Sequence, residues 1–128
     1  MTKNLSRTLV LWIPVVAWMA VIFSLSSIPG KDIPDVKLPN FDKLVHITEY
    51  AILGILLIRA FSNSAANTSL IKLAIISVCI SALYAASDEA HQYFVIDRTP
   101  DIMDFLADSI GAIIGVYLYH RRKRSCRS

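Results

Sequence analysis

The sequence predicts an all-α protein, a four-helix bundle that spans a membrane. Hydrophobic residues make up 55% of the 128 residues, and the mean hydropathy is +0.52. Only 18% of the residues are charged. They gather at the ends of four apolar stretches, each close to the roughly 20 residues that a transmembrane helix needs. This length is enough for one domain, so we expect residues 1–128 to form a single membrane domain.

The first apolar stretch reads TLVLWIPVVAWMAVIFSLS and predicts a span over about residues 8–26. Pro14 lies inside it and is expected to kink the helix. A signal peptide is the alternative, because Lys3 and Arg7 precede the apolar core and small residues follow it. The core is long for a signal peptide, however, and the rest of the chain is itself predicted to lie in the membrane. A membrane span is therefore the preferred interpretation.

Three further spans are predicted after a proline-rich connection. Residues 27–41 contain three prolines, which exclude a continuous helix and predict an ordered loop. The polar segment SNSAANTS at 62–69 predicts a turn, and a short loop is expected around residues 97–100. The predicted spans lie at about residues 42–61, 70–92 and 102–119.

The basic residues predict how the bundle is oriented. With four spans, both termini and the 62–71 turn lie on one side, which carries nine basic residues and no acidic one. The other side carries all ten carboxylates and four basic residues, Lys31, Lys37, Lys43 and Arg98. Basic residues concentrate in the cytoplasmic loops of membrane proteins. We therefore expect both termini in the cytoplasm and the acidic side outside.

Each of the last three spans carries one polar stripe. At 100° per residue, an arc of about 100° on the second span holds Asp42, His46, Glu49, Tyr50 and Leu53. An arc of about 140° on the third span holds Tyr84, Ser87, Asp88, His91 and Gln92, whereas Glu89 points elsewhere. One face of the fourth span holds Asp104, Asp108, Gly111, Ala112 and Gly115.

Several of these carboxylates are expected at membrane depth. Glu49 and Asp108 lie about 15 and 20 Å above the inner basic residues Arg59 and Arg121, at 1.5 Å per residue. Ionisable groups at such depth are costly and mark a functional site by default. We expect a cavity that opens outward, with Tyr50 and Asp108 at its floor. The predicted ligand-binding residues are Asp42, His46, Glu49, Tyr50, Asp88, Glu89, His91, Gln92, Arg98, Asp104 and Asp108.

Simpler explanations exist for some of these features. Asp42 and Asp104 can cap the N-termini of the second and fourth helices, and Arg98 can be an interfacial residue only. The GxxxG pattern of Gly111 and Gly115 favours close packing within the molecule over dimerisation. None of these explanations accounts for carboxylates below the membrane surface on inward stripes.

The same residues resemble the VanZ-like family of small membrane proteins, which is named for a teicoplanin resistance determinant. The matching residues are Asp42-Lys43 with His46 and Tyr50, then Asp88-Glu89-Ala-His91-Gln92, then Arg98 with Asp104 six positions later, then Gly111 and Gly115. Asp108 stands where the family usually has asparagine and adds a negative charge. The resemblance covers about residues 42–115. It implies a four-span protein of the bacterial cytoplasmic (inner) membrane, and the family name points to antibiotic resistance.

The chemistry of the cavity leaves three functions open. The first is binding of a lipid headgroup, a cell-envelope precursor or an amphiphilic, glycopeptide-type antibiotic. The second is a metal-dependent hydrolase or transferase that acts on a lipid-linked phosphate, because Asp, Glu and His suit Mg²⁺, Mn²⁺ or Zn²⁺. The third is a structural ion-pair network that holds the bundle together.

The metal hypothesis assigns specific residues, and all three functions share the same surroundings. The residues suited to a divalent cation are His46, Glu49, Asp88, His91 and Asp104. The candidates for a catalytic role are His46, Glu49, Asp88 and His91. The net charge of +3 reflects the C-terminal tail and does not indicate a nucleic-acid surface. The expected partner is a membrane lipid or a lipid-linked small molecule, and the sequence does not predict the oligomeric state.

Arg98 is predicted to close the cavity from outside. A guanidinium cannot lose its charge at the membrane interface, so it is expected to seek carboxylates. We expect it to fold inward and contact Asp88, Glu89 or Asp104.

Overall fold

Four long helices build the protein. The computed structural model describes residues 2–33, 39–65 and 67–125, with side chains from residue 8 onward. The helices are α1 (Thr2–Ser26), α2 (Phe41–Ser64), α3 (Leu70–Gln92) and α4 (Ile102–Ser125), and a short 3₁₀ turn, Gly30–Asp32, follows α1. Each helix contains a stretch long and apolar enough to cross a membrane, and the described residues include no strand. The predicted all-α transmembrane bundle is confirmed, and the chain is a multi-pass membrane protein.

The predicted limits agree with the helices at most positions. The first and third spans end where predicted, and α1 continues without a break through Pro14. Helix α2 runs three residues beyond the predicted span, and the side chains of Ser62 and Asn63 in this last turn donate hydrogen bonds to backbone carbonyls one turn earlier. Helix α4 continues into the basic tail, where cations are favoured by the helix dipole. Pro34, in the loop predicted over 27–41, lies outside the described residues.

Helices α2 and α4 pack with their backbones in contact. A Cβ on Gly115 would lie 2.0 Å from the carbonyl oxygen of Ala51, and a Cβ on Gly111 would lie 2.3 Å from that of Ile47. Gly54 of α2 approaches the α4 backbone in the same way, at 2.6 Å. The contacts of Gly111 and Gly115 advance together along both helices, and Lys43 pairs with Asp104, so α2 and α4 run parallel and begin at the same end of the bundle. The prediction that the GxxxG pattern serves packing within the molecule is confirmed.

Helix α1 is attached mainly through long side chains. The indole of Trp18 donates to the carbonyl of Glu49 on α2 at 2.9 Å, and the Tyr84 hydroxyl of α3 donates to the carbonyl of Met19 at 2.7 Å. Buried apolar residues fill the space between these bonds. They include Leu11, Val15 and Ile22 of α1 with Tyr50, Leu53 and Leu57 of α2.

The two loops at the acidic end of the bundle meet each other. The Gly30 N–H donates to the carbonyl of Ile96 at 3.1 Å. A Cβ on Gly30 would lie 1.8 Å from the carbonyl oxygen of Asp97, so only glycine fits there. Asp97 itself adopts a left-handed backbone conformation with φ of 58°. This contact brings the chain after α1 over the chain between α3 and α4.

Candidate functional site

A cavity of about 740 Å³ lies where the two loops cover the ends of the helices. Its wall includes the buried side chains of Ser26, Asp88 and Gln92, and its rim includes the exposed Asp32 and Thr99. The cavity therefore runs from an open mouth into the bundle. Seven of the predicted ligand-binding residues line it: Asp42, His46, Glu49, Asp88, Gln92, Arg98 and Asp104.

Two predicted floor residues lie behind this wall. Tyr50 and Asp108 are fully buried and do not line the cavity themselves. One carboxylate oxygen of Asp108 lies 2.9 Å from Nδ1 of His46, which does line it. The other oxygen, Oδ2, and the Tyr50 hydroxyl have no hydrogen-bond partner in the described part of the chain. Asp108 is thus coupled to the cavity through the imidazole.

His91 and Glu89 do not line the cavity. The prediction was wrong for His91, whose ring faces α1: Nε2 lies 3.0 Å from the Ser27 hydroxyl, and the ring centroid lies 4.5 Å from that of Phe23. The polar stripe predicted on α3 spanned about 140°, and α1 packs against the edge of that stripe where His91 lies. Glu89 accepts a hydrogen bond from the Asp101 N–H at 2.9 Å, on a different side of α3, as the predicted orientation implied.

Lys43 joins the beginnings of α2 and α4. Its ammonium lies 2.8 Å from a carboxylate oxygen of Asp101 and 3.3 Å from one of Asp42, and it also pairs with Asp104. The same Asp104 oxygen lies 3.8 Å from Nε2 of His46. Three carboxylates therefore share one ammonium, and the imidazole continues the network toward Asp108.

Asp101 is a residue that the sequence prediction missed. Its Oδ1 accepts a hydrogen bond from the Met103 N–H at 2.9 Å, so it caps α4, the role predicted for Asp104. The Lys43 ammonium and this N–H hold the pKa of Asp101 below its ordinary value. The signal was present in the sequence, because Asp101 follows Pro100 directly and precedes an apolar helix.

Arg98 lines the cavity but does not contact the predicted carboxylates. Its Nε donates to the carbonyl of Ile28 at 3.2 Å, and one terminal nitrogen donates to the carbonyl of Leu25 at 3.3 Å. The prediction of an ion pair with Asp88, Glu89 or Asp104 was therefore wrong. The last carbonyls of a helix have no partner within the helix and favour a cation. The guanidinium therefore donates to carbonyls at the end of α1 and just after it, and not to the carboxylates.

Glu49 and Asp88 differ from the exposed lining carboxylates because they are at least half-buried, and they have no ion-pair partner among the described residues. Glu49 makes no side-chain hydrogen bond or ion pair with the described residues, although it is half-buried. Asp88 is 4% exposed and accepts one long hydrogen bond, 3.4 Å, from the Gln92 amide. Carboxylates in such surroundings are unstable as a pair unless a cation or a proton compensates them.

The charge of the whole lining is strongly negative. One guanidinium, that of Arg98, and one imidazole face six carboxylates. The carboxylates are those of Asp32, Asp42, Glu49, Asp88, Asp97 and Asp104. Apolar side chains complete the wall, among them Leu25, Ile28, Phe41 and Val45. The cavity offers a cationic polar group many acceptors, with apolar surface beside them.

The residues predicted to hold a metal do not all meet. His91 is turned to α1, and within residues 2–33, 39–65 and 67–125 no three His, Cys, Asp or Glu side chains form a group that could hold a metal ion. His46, Glu49, Asp88 and Asp104 still share the cavity wall.

Comparisons with known proteins identify the family. No curated protein and no solved structure matches the chain. The family model described as VanZ/LLP1 matches residues 4–123, which include α2, α3, all but the first two residues of α1, all but the last two of α4, and every residue that lines the cavity. The predicted resemblance is confirmed over a longer part of the chain than the motifs alone covered, and the protein belongs to the VanZ/LLP1 family.

Proposed function

We propose that this protein is a binding module for an amphiphile whose polar head carries an amine. The cavity holds the head, and the apolar part of the ligand stays in the adjoining leaflet. A lipid headgroup, a cell-envelope precursor and a glycopeptide-type antibiotic are the ligand sources that fit this description. Binding there contributes to envelope integrity or to antibiotic resistance.

The uncompensated pair of Glu49 and Asp88 carries the proposal. Two cations at the cavity already have partners: Lys43 is shared by three carboxylates, and Arg98 donates to carbonyls at and just after the end of α1. An ammonium would supply the missing positive charge and donate hydrogen bonds to both carboxylates. A charge-assisted hydrogen bond contributes about 1.5–3 kcal/mol.

The apolar part of the wall favours an amphiphile over a small soluble amine. Leu25, Phe41 and Val45 line the cavity beside the carboxylates. Phe41 and Val45 are both more than one third exposed, so they present apolar surface at the helix ends. A lipid-like ligand can cover this surface while its head reaches Glu49.

The proposed location is the bacterial cytoplasmic membrane, with both termini in the cytoplasm. The excess of basic residues at the end opposite the cavity supports this orientation. The cavity then opens to the outer leaflet, where envelope precursors and antibiotics are met.

Native mass spectrometry of the purified protein tests the proposal with two zwitterionic lipids. Phosphatidylethanolamine has an ammonium that donates hydrogen bonds, and phosphatidylcholine has none. We expect the wild type to retain phosphatidylethanolamine about tenfold more than phosphatidylcholine. Glu49→Gln and Asp88→Asn should bring this ratio close to one.

Asp32→Asn is the matched control. It removes one carboxylate from the exposed rim of the same cavity, and its effect on the ratio should be small. An equal loss in Asp32→Asn and Glu49→Gln would contradict the proposed site. Teicoplanin is the antibiotic probe, and cells that express Glu49→Gln should be as sensitive to it as cells without the protein.

A structural role is the second candidate, and the network around Lys43 favours it. That network connects α2 to α4 without needing a ligand. It predicts that charge-removing variants aggregate in detergent. If Glu49→Gln and Asp88→Asn lose a single, sharp peak in size-exclusion chromatography, the carboxylates serve the fold and the binding proposal is wrong. The metal content of the same preparations tests the hydrolase alternative.

A further inference from the structure

A second cavity lies between α3 and α4, toward the end of the bundle that carries the basic residues. It has a volume of about 510 Å³ and is called the α3–α4 groove below. The residues that line it are Ala74, Ile75, Val78, Cys79, Ile113, Val116, Tyr117, His120 and Arg124. Seven of these nine residues are apolar or aromatic, and the two basic ones lie together at one end. It shares no lining residue with the acidic cavity described above.

The shape of the α3–α4 groove is elongated along the helices. From Ile113 to Arg124 the α4 wall rises about 17 Å, more than half of a hydrocarbon core roughly 30 Å thick. Ile75 and Ile113 are 58% and 53% exposed, whereas Val116 between the helices is 6% exposed. The groove therefore has a buried base and open sides that face the lipid.

No described residue supplies a counter-charge at the basic end of the α3–α4 groove. His120 and Arg124 make no ion pair with any described residue. The nearby Lys123 turns to the ring of Tyr119, at 6.0 Å from its centroid. All ten carboxylate side chains of the sequence lie in residues 32–49 and 88–108, toward the acidic end of the helices. The groove is apolar along its length and positive at one end.

We infer that the α3–α4 groove binds an anionic phospholipid of the bilayer. One acyl chain lies along the apolar walls, and the phosphate meets Arg124 and His120. The charge distribution selects this occupant, because a guanidinium pairs with phosphate in a bidentate manner and an uncharged chain would leave Arg124 without an anion. Basic pockets between transmembrane helices bind anionic headgroups in this way. The inference does not depend on the acidic cavity.

Competition between phosphatidylglycerol and phosphatidylcholine tests the inference. Equal amounts of both lipids are added to the detergent-purified protein, and the retained lipid is measured by native mass spectrometry. We expect the wild type to favour phosphatidylglycerol about fivefold, the effect of one basic residue near an anionic group. Arg124→Gln should bring the preference close to one, and His120→Gln should lower it partly.

Two matched controls separate the α3–α4 groove from the basic tail in general. Arg121→Gln removes the same charge from an exposed position that does not line the groove, and the preference should stay. Ile113→Trp fills the groove and should reduce retention of both lipids. Leu118→Trp adds the same bulk on another face of α4, where Leu118 is 51% exposed, and should change nothing.

Cys79 supplies an independent readout, because it lines the α3–α4 groove and is exposed. In a Cys126→Ser background, phosphatidylglycerol should slow alkylation of Cys79 several-fold more than phosphatidylcholine does. Arg124→Gln should remove the difference. Equal loss of preference in Arg121→Gln and Arg124→Gln would overturn the inference, since the tail alone would then attract the lipid. A dimer that Ile113→Trp disrupts would also overturn it, since a second copy would then occupy the groove.

Discussion

The cavity has two walls that are held in different ways. On one side, α2 and α4 touch along their backbones at Gly111 and Gly115, and Lys43 ties their first turns together. On the other side, α1 is held by single hydrogen bonds from long side chains, such as those of Trp18 and Tyr84, to backbone carbonyls.

This difference indicates which wall adapts to a ligand. Backbone contact leaves no room for a shift, because the atoms that face the glycines of α4 are backbone atoms of α2, which cannot change rotamer. A side chain such as Arg98 can change rotamer and keep or exchange a carbonyl partner. We therefore expect the α2–α4 wall to hold Asp42, Glu49 and Asp104 in place and the α1 wall to move when the cavity is filled.

The largest effect is expected at the contact between α2 and α4. Gly115→Leu places a Cβ against the Ala51 carbonyl oxygen, where backbone must move on both helices. Overpacking usually costs about 1–3 kcal/mol, and a clash with backbone lies at the upper end or beyond. We expect loss of the folded protein or a large fall in the apparent Tm in detergent. Ile114→Leu, an exposed neighbour on α4, should have little effect.

Replacing Lys43, which joins α2 to α4, and Arg98, which contacts the end of α1, compares the stability of the two walls directly. Lys43→Met leaves Asp104, whose side chain is 13% exposed, beside Asp101 without its ammonium. Because the site is partly exposed, a loss of about 1–2 kcal/mol in the free energy of unfolding is expected. Arg98→Met removes one hydrogen bond to Leu25 of α1 and one to Ile28 in the loop that follows, and should cost about 1 kcal/mol.

Denaturation in mixed micelles measures both values on the same preparation. If Arg98→Met destabilises the protein more than Lys43→Met, the α1 wall is the more firmly held one. The proposed difference between the walls would then have to be reversed.

The sequence predicted which residues form each polar stripe better than it predicted which helices pack against the stripes. The helical period fixes which face of its own helix each residue lies on, and Glu49, Asp88 and Asp104 line one cavity, as predicted. Periodicity does not say which helix packs against the edge of a stripe, and His91 was misplaced for that reason.

The course of the loops was the second limit on prediction. Arg98 was expected to choose a carboxylate, but the contact between Gly30 and the 93–101 loop brings it to the end of α1 instead. Such a choice depends on the distance between loops that are 60 to 70 residues apart in sequence. Local pattern contains no information on that distance.

A smaller effect is expected where α3 holds α1. Tyr84→Phe removes the hydrogen bond to the Met19 carbonyl and keeps the ring in place. Hydrogen bonds between transmembrane helices contribute about 0.6 kcal/mol on average. We expect a loss of this size in the free energy of unfolding, with unchanged retention of lipid in the α3–α4 groove. A loss above about 2 kcal/mol would show that this bond organises the α1 wall and that the wall is held firmly.

The smallest effect concerns acid, and it probes the Lys43 network alone. The pKa of Asp101 is held below its ordinary value by the Lys43 ammonium and the Met103 N–H. An Asp whose pKa is lowered on folding stabilises the protein above its unfolded pKa of about 3.9, and this contribution is lost as the pH falls through the folded pKa. The difference in apparent Tm between the wild type and Asp101→Asn should therefore be constant near neutral pH and shrink below about pH 4. Asn still accepts the Met103 hydrogen bond as an N-cap, so the change isolates the charge.

Asp32→Asn serves as the control, because Asp32 is exposed and makes no ion pair with the described residues. A pH dependence that both variants share would not be due to Lys43. A difference for Asp101→Asn that stays flat with pH would mean that Lys43 does not hold this carboxylate, and the connection between α2 and α4 would rest on Asp104 and the glycines.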